Sequence, residues 1–435
     1  MIEKLIINRG AIERFEKDKR IWLSKGLEDG KYIFGKIYSN GVAEVTHILS
    51  TPNAERSPIC FSGDNEYATE ILNKLRKNNP DITIIGEYHL HPWHGDASLS
   101  YQDVSQLLKV KQEIPWYIAI LATADDFKIF DIDPKNESRV REVDYQVVDT
   151  KHFGRGILLD RIKEVVKSEE LIDKSVLIIG LGSGGSVIAK YLACTGVGRL
   201  ILIDNDRLEV ANVIRHEGTI DDVGKRKTEI CRKIVESHNP YIVVKTYDFD
   251  ITKKIEQIKE IIAKVDLIID SSGNPTVNGI VNKLSLELNK EAIYGGVFER
   301  ALGAYILAVK PNETACLNCL FGLASQYQNI EEEKREELPC PGVAEEELHR
   351  QQGVWIDVSF PALILSKMAL AMLQGEDLNY NLILYDSSLE IRKIRLERRE
   401  DCSVCNRESW ARSLMQPSTK EKFYSFFRRL KFWKR

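Results

Sequence analysis

The 435-residue sequence has little net charge: 61 lysines and arginines stand against 65 aspartates and glutamates, a formal charge of -4. This balance gives no electrostatic reason to expect nucleic acid as a partner. The sequence also lacks an uncharged apolar run of about 18 residues, because Lys367 interrupts the best candidate, residues 360–373, for which we predict a buried helix. The start, Met1-Ile-Glu-Lys4, lacks the basic segment and apolar core of a signal peptide. We therefore expect a cytoplasmic protein without a membrane span.

Cysteine is scarce, and half of the eight cysteines fall in two Cys-x-x-Cys pairs, Cys316/Cys319 and Cys402/Cys405. In a chain with no export signal, paired spacing favours metal binding over disulfide bonds. Four thiolates supply the ligand set of a closed tetrahedral zinc site. We therefore predict one structural zinc ion held by both pairs, while redox chemistry is the alternative for a single pair.

The sequence shows no internal repeat or low-complexity block, and its length is too great for one ordinary core. Short β-prone runs mixed with helical stretches predict a small α/β domain in the first third. From residue 175 the order strand, glycine turn, helix, strand predicts a Rossmann-like, mostly parallel sheet. The predicted domains are residues 1–145 and 173–410, with a linker and lead-in helix at 146–172 and a basic, aromatic tail at 411–435.

Two histidines form the first candidate site. His89 and His91 follow the β-prone run 82–85, and residues two apart on a strand point to the same face. Both imidazoles can therefore bind one metal ion, with Asp103 as third ligand from the start of the next helix. Three protein ligands leave a position for water, which is typical of a catalytic zinc site. The spacing Ser100-x-x-Asp103 also fits a helix capping box, the structural alternative.

The stretch Gly86-Glu-Tyr-His-Leu-His-Pro92, with Ser100 and Asp103 downstream, resembles the JAMM (JAB/MPN) metalloprotease family. Members of that family remove ubiquitin-like modifiers or trim their precursors. The resemblance implies that Glu28 is the base acting on the zinc-bound water and that Ser100 hydrogen-bonds the oxyanion. Eight residues separate His91 from Ser100, where the family usually has seven.

A glycine-rich turn marks the second candidate site. Gly180, Gly182 and Gly185 follow a strand and open a helix, a place where backbone amides and the helix N-terminus attract phosphates. Asp204 ends the next strand 19 residues after Gly185, close to the spacing of about 20 for an acid that binds ribose. These residues alone predict a Rossmann-type nucleotide binder, with NAD as the default cofactor.

The residues after Asp204 favour a triphosphate over NAD. Asn212, Arg215 and Lys227 supply polar and cationic groups downstream. Arginine and lysine suit a triphosphate and the charge that develops as pyrophosphate leaves. The alternative for any one of these residues is an ordinary surface position.

The order Gly-x-Gly-x-x-Gly, Asp-x-Asp, Asn-x-x-Arg and Gly-x-x-Lys resembles the ThiF/MoeB-like adenylyltransferases that activate ubiquitin-like proteins. The resemblance implies ATP and magnesium as cofactors and a homodimer through this domain. Asp204 would hold the ribose. The residues that would hold the phosphates are Asn212, Arg215 and Lys227.

Two further features bear on this resemblance. The family usually has a magnesium-binding acid where Gly273 stands, and Asp206 and Asp270 are the candidates to replace it. The family often adds an arginine from the partner subunit, and Arg155 has a suitable spacing.

A cysteine outside the two pairs is the candidate acceptor. The family's acceptor cysteine commonly sits on a crossover loop ahead of a long apolar helix. Cys340 follows the charged segment 331–337 and precedes the apolar stretch 360–373. The resemblance therefore implies that Cys340 attacks the acyl-adenylate and forms a thioester.

Together the motifs predict a bifunctional enzyme of a bacterial ubiquitin-like system. A zinc hydrolase that deconjugates or trims a modifier would be joined to a domain that adenylates the modifier's C-terminus, and a separate conjugating enzyme is a further expected partner. Two alternatives stay open. One is the processing and activation of a sulfur-carrier protein, and the other is a non-catalytic scaffold that binds ATP and a modifier.

Overall fold

The chain folds as two compact units, Met1–Lys163 and Glu164–Arg435. The structure is a computed structural model. It describes residues 2–26, 29–50, 55–57, 60–62, 65–91, 97–124, 127–133, 136–148, 154–298, 301, 303–322, 353–386 and 388–405.

The first unit is an α/β domain with most of its strands in one mixed sheet. In chain order its elements are β1 (Lys4–Asn8), α1 (Arg9–Lys25), β2 (Asp29–Ile37), β3 (Val42–Ser50), β4 (Glu55–Ser57), β5 (Cys60–Ser62), α2 (Asn65–Asn78), β6 (Thr83–Leu90), α3 (Tyr101–Glu113), β7 (Ile118–Ala122), β8 (Phe127–Asp133), β9 (Asn136–Glu142), β10 (Asp144–Val148) and α4 (Arg155–Leu158). The large sheet has the order β10-β1-β3-β2-β6-β7-β8-β9, while β4 and β5 pair separately.

Strand β6 positions the candidate hydrolase residues. A register shift in its pairing with β2, between Ile33 and Phe34, interrupts the strict alternation of side chains. Beyond this bulge Tyr88 and Leu90 are buried in the core that includes α1. The intervening His89 is only partly buried, so it lies on the other side of the strand.

The second unit contains the remaining elements. In chain order they are α5 (Ser168–Leu171), β11 (Ser175–Ile179), α6 (Gly185–Ala193), β12 (Arg199–Ile203), α7 (Lys227–His238), β13 (Val243–Tyr247), α8 (Ile255–Ala263), β14 (Leu267–Asp270), α9 (Pro275–Glu287), β15 (Glu291–Val297), β16 (Gly303–Val309), α10 (Trp355–Leu373), β17 (Leu382–Asp386) and β18 (Ile391–Ile394). Three short 3₁₀ helices add to them, at Val210–Arg215, Ile220–Asp222 and Ile251–Lys253.

The sheet of the second unit is mixed, with the order β13-β12-β11-β14-β15-β16-β17-β18. The first five strands in this order pair in parallel, as predicted. The last three pair antiparallel, so the prediction of a mostly parallel sheet is wrong for that edge. Short connections between β15 and β16 and between β17 and β18 require antiparallel pairing at those two places, because a parallel pair needs a long crossover.

Every residue of β11 is buried, which is the mark of a central strand covered on both faces. Helix α10 contributes to that covering, since it packs against α6, β15 and β16. Among the described residues α10 is the one helix that is long and apolar enough by composition to cross a membrane. Ten of its 19 residues are buried in the fold, which confirms the buried helix predicted for residues 360–373.

The region predicted as a linker contains more structure than expected. Strand β10 extends past residue 145 and pairs in parallel with β1. Two single-turn helices, α4 and α5, are found where the sequence predicted one lead-in helix.

Candidate nucleotide site and metal centres

The glycine turn between β11 and α6 requires its first and last glycines for different reasons. Gly180 has φ +81°, and a Cβ there would come within 2.5 Å of the Cα of Ser272. A Cβ on Gly185 would come within 1.9 Å of the Gly180 carbonyl oxygen. No atom lies within 4 Å of a Cβ built on Gly182, which faces open space. The turn therefore packs tightly on its protein side and leaves room on the other.

Asp204 fastens this turn to the end of β12. One carboxylate oxygen accepts a hydrogen bond from the Leu181 amide at 2.6 Å, and the other accepts one from the Asp206 amide at 2.8 Å. Asp204 does not line the adjacent cavity. The structure therefore gives Asp204 a role in holding the turn, and its contact with ribose stays a prediction.

A cavity of about 400 Å³ opens beside the glycine turn. Its wall brings together Gly182 and all three residues predicted to hold phosphates, Asn212, Arg215 and Lys227. Asn212 and Arg215 lie on one 3₁₀ helix, and Lys227 is the first residue of α7. Cations facing the N-terminus of α6 form an arrangement that suits a polyphosphate.

Lys227 is held by an acid outside the cavity. Its ammonium lies 2.8 Å from a carboxylate oxygen of Asp206, whose side chain is 60% exposed. An ion pair with so exposed a partner is weak, so the pair orients Lys227 without neutralising it for an anionic ligand.

The predicted magnesium ligands do not reach the cavity. Asp270 is fully buried, and burial raises the pKa of its carboxyl group. It accepts hydrogen bonds from the amide and hydroxyl of Ser272 at 3.1 and 2.7 Å. Among the described residues of the cavity wall, Gly273 included, none carries a carboxylate. The described wall of the cavity therefore offers magnesium no carboxylate ligand.

An aromatic wall closes part of the cavity, and sequence reasoning missed it. The ring centroid of Tyr305 lies 6.2 Å from that of Phe298 and 5.8 Å from that of Phe321. A Cβ on Gly296 would come within 2.3 Å of the Tyr305 ring, so glycine is needed for this packing. The three rings come from separate places in the chain, and no local pattern marks them as a set.

The first unit brings His89, His91 and Asp103 together as predicted, with ligand atoms all within 4.8 Å of one another. His89 Nδ1 lies 3.5 Å from one Asp103 oxygen, and His91 Nε2 lies 3.6 Å from the other. Zinc bonds of about 2.0–2.1 Å to nitrogen and oxygen place tetrahedral ligands roughly 3.3–3.4 Å apart. The donor set and its spacing therefore fit a zinc ion.

Ser100 forms the capping box that the sequence left as an alternative. Its hydroxyl accepts a hydrogen bond from the Asp103 amide at 3.2 Å, and its own amide donates one to an Asp103 carboxylate oxygen at 2.6 Å. The box orients the carboxylate that faces the histidines. An additional role of Ser100 at an oxyanion stays a prediction, and Glu28 lies outside the described residues.

Glu87 is a residue beside this cluster that the sequence reasoning left without a role. It lies two residues before His89 on β6 and accepts a hydrogen bond from the Tyr117 hydroxyl at 3.3 Å. Burial raises the pKa of Glu87. Glu87 is two residues before His89, just as His89 is two residues before His91. This spacing could have identified Glu87 from the sequence.

The four paired cysteines form one cluster in the second unit. Sulfur separations are 3.7 Å for Cys316 and Cys402, 3.4 Å for Cys319 and Cys405, and 4.0 Å within the first pair. Zinc–sulfur bonds of about 2.3 Å give tetrahedral edges near 3.8 Å. The predicted meeting of the two pairs is confirmed, and the four thiols fit a structural zinc ion.

Two other predicted residues have different outcomes. Cys340 lies outside the described residues. Arg155 is 4% exposed, and its guanidinium lies 5.9 Å from the centre of the Tyr38 ring in the first unit. Its role toward the nucleotide of a partner subunit stays a prediction.

The parallel strands, glycine turn and cation-lined cavity are typical of nucleotide-binding α/β domains. Within that class, a sequence model described as the ThiF family matches residues 153–404, more than half of the chain. The chain belongs to the ThiF family.

The relatives include "Ubiquitin-like modifier-activating enzyme 5" of Drosophila ananassae, 32% identical over 211 residues, which are 46% of this chain and 53% of the relative. The protein of the same name from Arabidopsis thaliana is 32% identical over 200 residues, 43% of this chain and 46% of the relative. The chain thus spans about half the length of the curated relatives it matches.

Solved structures show a more distant likeness. "E. coli MccB + ATP" is 24% identical with a TM-score of 0.43, covering 55% of this chain and 68% of that one. "SeMet PaaA" is 18% identical with a TM-score of 0.45, covering 57% and 87%. Similarities of this size carry no argument about activity.

Proposed function

We propose that the second unit uses ATP to adenylate the C-terminal carboxylate of a small protein or peptide. The observation that carries this proposal is the cavity in which Arg215 and Lys227 meet Gly182 at the start of α6. Membership of the ThiF family and the similarity to modifier-activating enzymes support it.

In this reaction a carboxylate oxygen of the substrate attacks the α-phosphorus of ATP. A bond to phosphorus forms, the bond to the bridging oxygen breaks, and pyrophosphate leaves with the electron pair. The amides of the glycine turn bind phosphate oxygens, and Arg215 and Lys227 stabilise the charge that develops on pyrophosphate. No step is assigned to magnesium, because the described wall of the cavity offers it no carboxylate.

The test is ATP–pyrophosphate exchange with candidate modifiers, comparing Lys227→Ala with Lys233→Ala. Both lysines lie on α7, but Lys233 is exposed and outside the cavity. Loss of a charge-stabilising group lowers the exchange rate by about 10²–10³-fold in the first variant, and the control keeps wild-type exchange. Equal rates in the two variants would contradict the proposal.

The fate of the adenylate is proposed from the family resemblance. Cys340 takes the acyl group as a thioester, with its thiolate displacing AMP, and a conjugating enzyme receives it next. Cys340→Ala should abolish a reducible ATP-dependent adduct on a gel while exchange persists. A sulfide-dependent thiocarboxylate would instead favour a sulfur-carrier substrate, and ATP binding without exchange would favour a scaffold. A homodimer and a cytoplasmic location belong to the same proposal.

A second activity is proposed for the first unit, because the ligand atoms of His89, His91 and Asp103 are separated by distances that suit one zinc ion. These residues would hold a zinc ion that supplies a nucleophilic water and polarises the scissile carbonyl. The substrate would be a modifier extended or conjugated at its C-terminus. Glu28 would take the proton of the attacking water.

The hydrolase is tested by zinc content and by cleavage of a C-terminally extended modifier. His91→Ala should lower zinc from two ions per chain to one and end cleavage, whereas His238→Ala, an exposed histidine of α7, should change neither. Glu28→Ala should end cleavage with both zinc ions retained. Cleavage that persists in His91→Ala would refute the metal assignment.

A further inference from the structure

One buried histidine lies between the glycine turn and the phosphate-binding arginine. His216 follows Arg215 directly and is 3% exposed. Its Nδ1 accepts a hydrogen bond from the Gly218 amide at 2.8 Å. Its Nε2 lies 2.9 Å from the Leu181 carbonyl oxygen. Since Nδ1 accepts a backbone N–H, the proton of the neutral ring is on Nε2, which donates to Leu181.

Leu181 is thereby held at both of its backbone groups. Its carbonyl accepts from His216, and its amide donates to Asp204 at 2.6 Å. Leu181 separates Gly180 from Gly182, so these bonds define the path of the turn that faces the cavity. Both Arg215 and His216 line the same cavity.

The packing around His216 leaves little freedom. A Cβ on Gly218 would come within 2.9 Å of an Ile230 methyl and 3.1 Å of His216 Nδ1, so glycine is required for its amide to reach the ring. Glu217 is tied to α6 by Lys190 at 2.9 Å. The segment after Arg215 is therefore fastened to the helix that the glycine turn opens.

We propose that neutral His216 is a positioning residue that holds the glycine turn in register with Arg215 for the adenylation reaction. The inference rests on the proposed function of the second unit and assigns the residue that couples its two phosphate-binding elements. Protonation would remove the acceptor at Nδ1 and break the bond from Gly218, while Nε2 would still donate to Leu181, so the segment after Arg215 would lose its hold on the ring.

The surroundings of His216 include charges of both signs. Burial is the largest influence and lowers the pKa of His216, whereas its hydrogen bond to the Leu181 carbonyl raises it. Lys227 on α7 lowers the pKa further, Asp204 beyond β12 and Glu217 on its own segment raise it, and Lys190 of α6 pairs with Glu217. The ring is therefore neutral at neutral pH and gains a proton only below the ordinary histidine pKa of about 6.5.

The experiment compares full-length His216→Gln and His216→Ala with His238→Gln, a change at an exposed histidine of α7. Glutamine keeps one donor and one acceptor but does not titrate in this range. The readouts are ATP binding by calorimetry and pyrophosphate exchange from pH 5.5 to 8.5. His216→Ala should raise the KM for ATP by about 10- to 100-fold through misplacement of the turn.

The pH profile separates positioning from a merely structural role. The wild-type exchange rate divided by the His216→Gln rate should fall as the pH falls, because only the wild-type residue gains a proton. Losses of activity at low pH that both proteins share cancel in this ratio. A ratio that stays constant, or a His216→Ala variant with wild-type KM, would overturn the inference. If His216→Ala fails to fold, the ratio for His216→Gln still decides. Wild-type protein that neither binds ATP nor exchanges pyrophosphate would instead overturn the proposed function.

Discussion

The two candidate sites are assembled in different ways. In the first unit, the candidate metal-binding triad consists of His89 on β6, His91 directly after that strand, and an aspartate in the first turn of the next helix. In the second unit, the cavity wall takes residues from a glycine turn, a 3₁₀ helix, α7, β15, β16 and α10. The first site is local in sequence, whereas the second depends on the packing of a whole sheet.

This difference predicts different sensitivities. A local site fails when one of its few groups is removed or when the helix that carries Asp103 moves. A dispersed site fails when any element that frames the cavity shifts, even if that element touches no ligand. The following predictions test this contrast, beginning with the largest expected effect.

Removing a thiol of the four-cysteine cluster should affect only the second unit. Binding of structural zinc is worth roughly 10–16 kcal/mol in small zinc domains, so Cys402→Ser should cost that unit its zinc and lower its Tm by about 10 °C or more. Calorimetry and zinc analysis measure the change. Cys194→Ser, at an exposed cysteine, is the control. Two zinc ions per chain in Cys402→Ser would contradict the assignment.

The stability of the first unit should depend strongly on a buried ion pair that involves the helix carrying Asp103. Lys111 lies two turns below Asp103 on α3, and its ammonium pairs with Asp131 with both side chains almost fully buried. Lys111→Met removes one of the two cations that pair with the buried Asp131 and leaves the partly exposed Arg141 at 3.0 Å, so it should destabilise the unit by about 3 kcal/mol, with weaker zinc binding through Asp103. Denaturation and zinc titration measure both effects. Lys109→Met, exposed on the same helix, should behave as wild type.

Substitutions in the glycine turn should separate a glycine that packs against protein from one that faces the cavity. Gly185→Ala forces a Cβ against the Gly180 carbonyl and should destabilise the second unit by about 1–3 kcal/mol while weakening ATP binding. Gly182→Ala has room for its methyl group and should leave the Tm unchanged. Thermal denaturation with and without ATP compares them. An equal Tm for both variants would refute the packing argument.

The smallest effect is expected at Ser100. Loss of the helix cap in Ser100→Ala should cost about 1 kcal/mol. Ser100→Asn keeps a capping side chain but lacks the hydroxyl, so urea denaturation should show restored stability. Cleavage of an extended modifier then separates two roles. If Ser100→Asn restores cleavage, the role of Ser100 is only to cap the helix. If both variants lose cleavage and keep zinc, the oxyanion role is supported.

The sequence predicted the elements that carry each motif, although not every boundary. Strand β11 has the predicted bounds of residues 175–179, whereas α10 begins at Trp355, earlier than the apolar stretch suggested. The antiparallel edge of the second sheet was not foreseen, because pairing direction depends on connections that carry no local signal. His216 was not foreseen either, since its partner Leu181 is 35 residues away in the chain.

By itself, the sequence determined which chemical groups are available and how neighbours along a strand or turn are spaced. The period of two related His89 to His91, and the glycine spacing defined the tight turn after β11, because both follow from backbone geometry over a few residues. The tertiary structure decided which distant groups meet. It brought Cys316 to Cys402 across 86 residues, set Tyr305 into the cavity wall and closed His216 onto Leu181. Such contacts depend on close packing between separate elements, which local geometry does not specify.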